Sequence, residues 1–328
     1  MLELAPLDRR IINRYQGGFP LVKEPFDKVA AEFDISATEL IGRVDHMLAR
    51  GWLTRFGPLY NAERLGGGLT LAALSVPEEQ YRSVTNLVNM QPEVAHNYRR
   101  DHLLNMWFVI ATETPEQLTD TIAQIEKNTG LKVCNFPKLR EFYLGLWFEI
   151  GEQDEMNTRS IETAPQSALY SLDEYDRRIV VTTQEGLPLD SRPYADVARR
   201  VLLTEDEVIE RMKRLLNNGV IRRIGLVPNH YKLGFRGNGM SVWDIPDEKL
   251  DTLGQLVAGL DFVSHCYQRP RYEGVWPYNL FAMVHGRDRD EVRVKTEQIS
   301  QLLGDECRGH DVLFSTEVLK KTGLRMVA

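Results

Sequence analysis

The heptapeptide VAHNYRR at Val94–Arg100 recurs in the second half of the chain as VSHCYQR at Val263–Arg269. Both copies place histidine, tyrosine and arginine at alternate positions. Because side chains on a β-strand alternate between its two faces, His96, Tyr98 and Arg100 are expected to share one face of a strand. The second copy has the same spacing. The two stretches therefore predict equivalent strands within a duplicated fold.

The repeat extends well beyond these strands. Asp8–Ile11 recurs as Asp176–Ile179, and Gly18–Leu21 matches Gly186–Leu189 in its glycine, proline and leucine. Between the copies, Gly151–Ala168 is polar and acidic and lacks apolar periodicity, which is typical of a linker. We therefore interpret the chain as two fused copies of one unit.

The first sixty or so residues of each copy have the pattern of three short helices. Leu7–Tyr15 carries apolar residues at helical spacing, and Pro25 suits the first turn of a second helix. Ser36 suits the N-cap of a third helix, which Gly51 ends. A short strand at Trp52–Arg55 follows. The second copy repeats this plan, which is that of a winged helix-turn-helix.

The remaining hundred residues of each copy alternate strand and helix in the order βαββαβ, the order of a ferredoxin-like sandwich. In the first copy the predicted strands are Leu69–Val76, Val94–Arg100, Met106–Ala111 and Glu141–Ile150, and the predicted helices are Glu78–Met90 and Pro115–Thr129. The fold class is therefore α+β, a tandem duplication, and it resembles the Lrp/AsnC regulators. The predicted boundaries are 1–57 and 169–226 for the helix-turn-helix units, 58–150 and 227–328 for the sandwiches, and 151–168 for the linker.

Composition narrows the class of protein. The 328 residues are 43% hydrophobic and 27% charged, without a long apolar run or a signal-peptide pattern, so a cytoplasmic location and no membrane partner are expected. Three cysteines without a CxxC pair indicate neither a disulfide framework nor a zinc site. The net charge of −7 argues against a protein that mainly binds nucleic acid.

The third helix of each unit, which reads DNA in helix-turn-helix proteins, is poorly suited to that role. In the second copy, Thr204–Glu210 carries four acidic residues before the first basic one, Arg211. In the first copy, Ser36–Arg43 offers a single cation. We therefore expect these helices to pack and pair the units, with their acids favouring the helix N-termini, and we expect DNA not to be a partner.

The repeated histidine, tyrosine and arginine predict a ligand site instead. The planar fork of arginine suits a carboxylate, histidine titrates near neutrality, and neighbouring aromatic residues offer a flat apolar wall. This combination fits a flat ligand with several carboxylates. The second copy carries Arg-Pro-Arg at Arg269–Arg271 and Trp-Pro-Tyr at Trp276–Tyr278, which the first copy lacks, and the second of these motifs continues as WPYNLFAMVHG to Gly286. An inserted aromatic loop of this kind favours a binding role.

At these residues the chain resembles the siroheme decarboxylases, Lrp-like proteins of alternative heme biosynthesis, in their fused two-half form. The resemblance implies a non-oxidative carboxy-lyase that removes the two acetate carboxyl groups of siroheme, at C12 and C18. The implied product is 12,18-didecarboxysiroheme, made for heme d1 or alternative heme biosynthesis. No added cofactor is implied, since the iron belongs to the substrate. Two rivals remain: an effector-binding Lrp-type transcription regulator, and a non-catalytic siroheme or heme carrier.

The site residues follow from both lines of reasoning. Histidine protonates the carbon left by CO2, with tyrosine beside it, or histidine instead ligates the siroheme iron; the sequence leaves both roles open. One competent site in each chain is expected, with the second half favoured. The predicted catalytic residues are His96, His265, Tyr98 and Tyr267. The predicted substrate-binding residues are Arg99, Arg100, Arg269, Arg271, His102, Asn105, Trp107, Trp276, Tyr278 and Asn279.

Structural interpretations compete with each functional one. A histidine on a strand is often only a hydrogen-bonded structural residue, and its recurrence could reflect descent from a duplicated core. His46, His230 and His310 lie outside the cluster and are interpreted as surface or packing residues, whereas His285 lies nearer without an assigned role. Lrp-like sandwiches pair through their sheets, so the two halves are expected to form an intrachain pseudo-dimer. Further self-association, or a paralogous decarboxylase pair, is left open.

Overall fold

The structure is a computed structural model that describes residues 4–145, 147–151, 156–159, 170–229, 231–235 and 237–322. Most of the predicted linker at 151–168, together with His230, lies outside these described residues.

The helices of the first helix-turn-helix unit begin where the sequence has prolines and a capping serine. It comprises α1 (Pro6–Tyr15), α2 (Pro25–Ala31), α3 (Ala37–Ala49) and the wing strand β1 (Leu53–Tyr60). A proline stands at the start of α1 and of α2, and the Ser36 hydroxyl accepts a hydrogen bond from the backbone N–H of Glu39. The wing continues to Tyr60, so the domain boundary predicted at residue 57 falls inside a strand.

The first sandwich has the predicted βαββαβ order. Its elements are β2 (Gly68–Leu74), α4 (Tyr81–Asn89), β3 (Val94–Arg100), β4 (Met106–Thr112), α5 (Glu116–Thr129) and β5 (Cys134–Pro137). A short 3-10 turn at Glu78–Gln80 precedes α4, so the regular helix starts later than predicted. The strand that carries the histidine repeat begins and ends where the sequence predicted.

The prediction of one closing strand over Glu141–Ile150 was wrong. The segment forms β6 (Arg140–Leu144) and β7 (Trp147–Ile150), which belong to different sheets, and β7 pairs with β8 (Met156–Arg159). The fourth strand of the first sandwich is β5 instead. The cause is long-range pairing: the chain crosses to the second half at this point, where the Gly145 N–H donates to the Ser264 carbonyl at 3.0 Å.

The second half repeats the plan of the first. Its elements are α6 (Glu174–Thr183), α7 (Pro193–Val201), α8 (Glu205–Asn217), β9 (Ile221–Pro228), β10 (Gly237–Asp244), α9 (Leu250–Ala258), β11 (Val263–Gln268), β12 (Leu280–Gly286), α10 (Arg289–Leu303) and β13 (Gly309–Lys321). Thr204 and Glu207 form a reciprocal capping box at the start of α8. The duplicated α+β fold is therefore confirmed.

Nine strands are hydrogen-bonded in the order β5-β2-β4-β3-β13-β10-β12-β11-β6. The long strand β13 joins the two sandwiches, because its first part pairs with β10 and its last part pairs with β3. At the far edge, β6 of the first half adds to β11 of the second half. Each of the two strands that carry the repeat is thus paired with a strand from the opposite half.

The two sandwiches, whose strands belong to this one sheet, also pack against each other through its inner face. Trp107 and Phe136 from the first half contact Trp276 and Phe281 from the second, with ring centroids between 5.0 and 5.9 Å apart across the boundary. The helix-turn-helix units share a second core, and their wings pair antiparallel, with Gly57 opposite Gly225. The two halves of the chain therefore contact each other through their sandwiches and also through their helix-turn-helix units.

Candidate active site

The alternation of β3 places three of the predicted residues on its inner face. The rings of His96 and Tyr98 stack with centroids 6.1 Å apart, and the Tyr98 hydroxyl lies 3.5 Å from Nδ1 of His96. The guanidinium carbon of Arg100 is 6.0 Å from the Tyr98 ring centroid. Arg99 faces the other way, where it lies over the Tyr81 ring of α4 and pairs with Glu78 at 2.6 Å. Arg99 is therefore not part of this cluster.

The equivalent residues of β11 form a second cluster. The rings of His265 and Tyr267 have centroids 6.1 Å apart, and Arg269 lies 5.2 Å from the Tyr267 ring centroid. The sequence spacing alone was enough to find this triplet and its counterpart. We call the two groups the first cluster (His96, Tyr98 and Arg100) and the second cluster (His265, Tyr267 and Arg269).

Both clusters are completed by the opposite half of the chain. Arg100 donates to the carbonyl of Leu313, and Arg269 donates to the carbonyl of Phe136. Lys321 of the second half borders the first cluster, where its ammonium lies 5.3 Å from the Tyr231 ring centroid. Neither cluster is therefore complete within one sandwich.

The second cluster has acidic neighbours that the sequence analysis did not predict. Lys138 of the first half lies 5.7 Å from the Tyr267 ring centroid and pairs with Glu63 at 2.5 Å and with Glu141 at 2.7 Å. At the position that corresponds to Glu63, the second half has Tyr231, which borders the first cluster. The surroundings of the two clusters therefore differ in charge although their triplets match.

Burial sets the protonation states of the histidines and tyrosines. Loss of solvent, reinforced by Lys321, lowers the pKa of His96 to about 4. Loss of solvent, reinforced by Arg222 and Arg269, lowers the pKa of His265 to about 3. Burial raises the pKa of Tyr98 to about 12 and raises the pKa of Tyr267 as well. Both imidazoles and both phenols are therefore neutral near pH 7 in the ligand-free protein.

The arginines supply the positive charge. Burial lowers the pKa of Arg100 and of Arg269 to about 10, which still leaves both guanidinium groups charged at neutral pH. In each of them the Nε atom is buried and has no hydrogen-bond partner among the described residues. A desolvated cation with an unused donor is a strong site for an anion.

The predicted aromatic wall has a different place in the structure. Trp107 and Trp276 are fully buried in the core between the sheets, and Tyr278 packs against Trp276 with centroids 5.0 Å apart. Buried indole rings cannot contact a ligand in this conformation. We therefore assign Trp107 and Trp276 to packing of the two halves rather than to substrate contact, with Tyr278 beside them.

Four further predicted binding residues brace loops. Arg271 pairs with Asp244 at 2.8 Å and with Asp247 at 2.5 Å, so its charge is already neutralised. The Asn105 amide bonds both backbone groups of Val76, and the Asn279 amide does the same for Ile245. His102 accepts from the Leu104 N–H at 3.0 Å and packs edge-on against Trp276. These residues hold turns, and none joins either cluster.

Sequence reasoning missed a polar group behind the second cluster. Ser264 lies between His265 and His285, at 2.7 Å from a ring nitrogen of each, and His285 contacts Asn238. A signal was present, because the corresponding residues of the first half are apolar. Comparing the copies for such differences, as well as for matches, could have found this group.

On each helix that would face DNA, the first basic residue is already paired. Arg43 of α3 bonds Asp8 at 3.1 Å and Glu39 at 2.9 Å, and Arg211 of α8 bonds Asp173 at 2.7 Å and Asp176 at 2.8 Å. Phosphate contacts depend on free lysine and arginine side chains. These ion pairs add support to the interpretation of the helices as packing elements.

Comparison with known proteins identifies the family. The model of the AsnC-like ligand binding domain matches residues 65–143 and 232–320, and that of the siroheme decarboxylase NirDL-like HTH domain matches residues 8–53 and 176–222. The siroheme decarboxylase of Hydrogenobacter thermophilus is 34% identical over 96% of this chain and 93% of its own length. The chain belongs to the siroheme decarboxylase family.

Two further relatives bear on the decarboxylase fold and its site. A crystal structure of the siroheme decarboxylase NirDL in complex with an iron-uroporphyrin III analogue superposes with a TM-score of 0.72 at 32% identity, covering 96% of this chain and 92% of that chain. The siroheme decarboxylase NirH subunit of Paracoccus pantotrophus is 55% identical over 47% of this chain and 96% of its own length.

Within the described residues, no helix is both long and apolar enough to span a membrane.

Proposed function

We propose that this chain removes the acetate carboxyl groups at C12 and C18 of siroheme as CO2 and releases 12,18-didecarboxysiroheme, for heme d1 or alternative heme biosynthesis. The observation that carries the proposal is the pair of clusters, in each of which a buried guanidinium lies beside a neutral imidazole and a neutral phenol. A related decarboxylase binds an iron-uroporphyrin III analogue, which is a macrocycle of the same kind.

In this proposal the arginines bind carboxylates that do not react. Arg100 and Arg269 each use one N–H on a carbonyl of the opposite half, and no carboxylate among the described residues forms an ion pair with either. Their remaining donors suit the two oxygens of a substrate carboxylate. Within each cluster, a carboxylate bound to the arginine would fix the orientation of the macrocycle relative to the histidine beside it.

The reaction itself needs one proton for each CO2. The bond between the acetate methylene and its carboxylate breaks, and its electron pair is delocalised into the macrocycle. A proton on the methylene carbon then completes the methyl group. Histidine beside a phenol is suited to deliver that proton as a general acid, and the partly buried setting favours loss of charge from the carboxylate. No group beyond these side chains is required for this balance.

The carrier and the regulator remain outcomes of the test. A carrier would use the same arginines but release siroheme unchanged. A regulator would need a basic third helix, and the ion pairs of Arg43 and Arg211 do not favour it.

We also place the reaction in the cytoplasm, since Cys134, Cys266 and Cys307 are all free thiols.

Assembly is a further part of the proposal. The NirH relative is called a subunit and matches about half of this chain, so a fused chain supplies in one polypeptide what half-length relatives supply as separate subunits. The mutual completion of the clusters supports an intrachain pseudo-dimer as the working unit. Association with a second copy or a paralogous pair is a proposal that mass measurement in solution tests.

The deciding experiment is anaerobic incubation of the purified chain with siroheme, followed by mass spectrometry of the extracted macrocycle. We expect a product that has lost two carboxyl groups, and no change in a control with heat-unfolded protein. Tight binding without a change in mass contradicts catalysis and favours the carrier. Absence of binding contradicts both and returns the regulator to consideration.

A further inference from the structure

A buried chain of polar groups lies behind the second cluster. The Ser264 hydroxyl is 2.7 Å from Nδ1 of His265 and 2.7 Å from Nε2 of His285. Nδ1 of His285 is 2.5 Å from Oδ1 of Asn238. Ser264 is 1% exposed and His285 is 4% exposed, so solvent does not compete for these hydrogen bonds. We call Ser264, His285 and Asn238 the buried triad.

The direction of each hydrogen bond follows from the chemistry of the groups. In the orientation that the structure gives the Asn238 amide, its Oδ1 faces His285 and can only accept, so His285 carries its proton on Nδ1 and, when neutral, accepts at Nε2. The Ser264 hydroxyl then donates to His285 at 2.7 Å in preference to the Met283 carbonyl at 3.5 Å, and it accepts from Nδ1–H of His265. Nδ1 of His265 is thereby fixed as the protonated nitrogen. Nε2 of His265 remains as the nitrogen available to a ligand.

The first half lacks this arrangement at the same strand positions. Asn238 lies opposite His285 in the pairing of β10 with β12, and the equivalent pair of β2 with β4 is Leu69 opposite Ala111. Ala95 precedes His96 as Ser264 precedes His265. The same sandwich fold is thus built with three apolar residues. The fold does not require the buried triad.

The packing of the surrounding core does not explain the presence of these three polar residues either. His285 is enclosed by the rings of Phe148 and Phe235, with centroids 6.1 and 6.4 Å from its own. Placing an imidazole, a hydroxyl and an amide in such surroundings is costly unless each is hydrogen-bonded, whereas apolar side chains carry no such cost. A polar chain that ends on the ring of His265 points to a role in the chemistry of that ring.

We propose that the buried triad positions His265 as the Nδ1–H tautomer, so that Nε2 of His265 delivers the proton to the methylene carbon after CO2 is lost. This inference rests on the proposed function and assigns proton delivery to the second half. His96, without such support, serves binding in the first cluster. The triad residues are positioning residues, since only His265 contacts the reacting carbon.

The proton balance is closed within this scheme. The His265 ring takes up a proton at Nε2 from solvent and becomes an imidazolium whose Nδ1–H is held by Ser264. The imidazolium transfers the Nε2 proton to the carbanion, which becomes a methyl group, and the ring returns to the neutral Nδ1–H form. Burial is the main cause of the lowered pKa of His265, and the charges of Arg222 and Arg269 lower it further. A substrate carboxylate bound to Arg269 offsets the effect of that arginine and so favours the imidazolium.

The test uses full-length Ser264→Ala and His285→Ala, which place at these positions the residues found in the first half. Ser241→Ala is the matched control, because Ser241 is equally buried on β10 and bonds the Ala282 carbonyl at 2.8 Å without touching the triad. Two readouts are combined: single-turnover decarboxylation of siroheme, and the tautomer of His265 by NMR of protein labelled with ¹⁵N-histidine, assigned with His265→Asn.

We expect both triad variants to decarboxylate about 100-fold more slowly, with unchanged affinity for siroheme, and to lose the pure Nδ1–H signature of His265. Ser264→Thr, which keeps the hydroxyl, is expected to restore both, and Ser241→Ala to change neither. Wild-type rate and tautomer in the triad variants would overturn the inference. If wild type binds siroheme without converting it, the proposed function fails, while the tautomer readout still decides whether the triad positions His265.

Discussion

At the scale of single residues, the two arginines are the features that most directly connect sequence to chemistry. Arg100 and Arg269 occupy equivalent positions on equivalent strands, Arg100 is buried and Arg269 is half-buried, and each retains a buried Nε without a partner among the described residues. The spacing of the repeat predicted their common face. Their pairing with carbonyls of the opposite half could not be predicted, because no local pattern encodes it.

Replacement of these arginines by lysine tests the carboxylate sites. Lysine keeps the charge but loses the planar fork, so Arg100→Lys and Arg269→Lys are each expected to weaken siroheme binding about tenfold or more. Arg99→Lys, on the other face of the same strand, is the control and should leave affinity unchanged. Absorbance titration under anaerobic conditions measures the Kd. Equal effects at positions 99 and 100 would contradict the assigned faces.

The histidines make a prediction about stability and pH. The pKa of His96 is lowered from 6.5 to about 4 by burial and Lys321, and that of His265 to about 3. A lowered histidine pKa means that the unfolded chain binds protons first, so stability is present above pH 6.5 and is lost progressively as the pH falls towards 4.

Urea unfolding at pH 7 and at pH 5 measures this loss. Wild type is expected to show a lower midpoint at pH 5, and the double variant His96→Asn with His265→Asn should show a smaller difference between the two pH values. The same difference in both proteins would mean that other groups account for the pH dependence.

At the scale of elements, local sequence signals predicted helices correctly, whereas the pairing of distant strands was not predicted. The starts of α1, α3 and α8 were predicted because prolines and capping residues act within a few positions of themselves. The run Glu141–Ile150 has the composition of one strand, yet β6 pairs with β11 whereas β7 pairs with β8. That division depends on partners in a different part of the sequence, which composition does not reveal.

The wing strands offer a test of the contact between the two helix-turn-helix units. A Cβ at Gly225 would lie 2.2 Å from the carbonyl oxygen of Tyr15, which is backbone and cannot move aside easily. Gly225→Ala is therefore expected to destabilise the protein by about 1–3 kcal/mol. Gly42→Ala, in α3 with open space around it, should instead stabilise by about 0.5–1 kcal/mol. Thermal unfolding of both variants distinguishes the outcomes, and no loss at Gly225 would contradict the close contact.

At the scale of the whole molecule, duplication explains both what the sequence predicted and what it did not. It predicted two clusters of like composition, and the structure places them where strands of opposite halves meet. The tryptophans were assigned to a ligand wall because a ligand site and a core between sheets draw on the same aromatic residues. Only burial distinguishes the two, and Trp107 and Trp276 are fully buried.

The differences between the two halves of the chain indicate how their roles differ. The triplets of the two halves match, whereas the residues behind them are polar in the second half and apolar in the first. One polypeptide therefore has two matching triplets, which we propose as carboxylate sites, and one histidine that is hydrogen-bonded to a buried polar chain. This asymmetry is the reason that we assign proton delivery to the second cluster.

The most direct test of the account is anaerobic conversion of siroheme by the intact chain in heavy water, with mass analysis of the macrocycle. We expect loss of two carboxyl groups and one deuterium in each new methyl group, because an exchangeable side-chain proton completes each carbon. Recovery of siroheme at its original mass would contradict decarboxylation. Methyl groups without deuterium would contradict proton delivery by histidine.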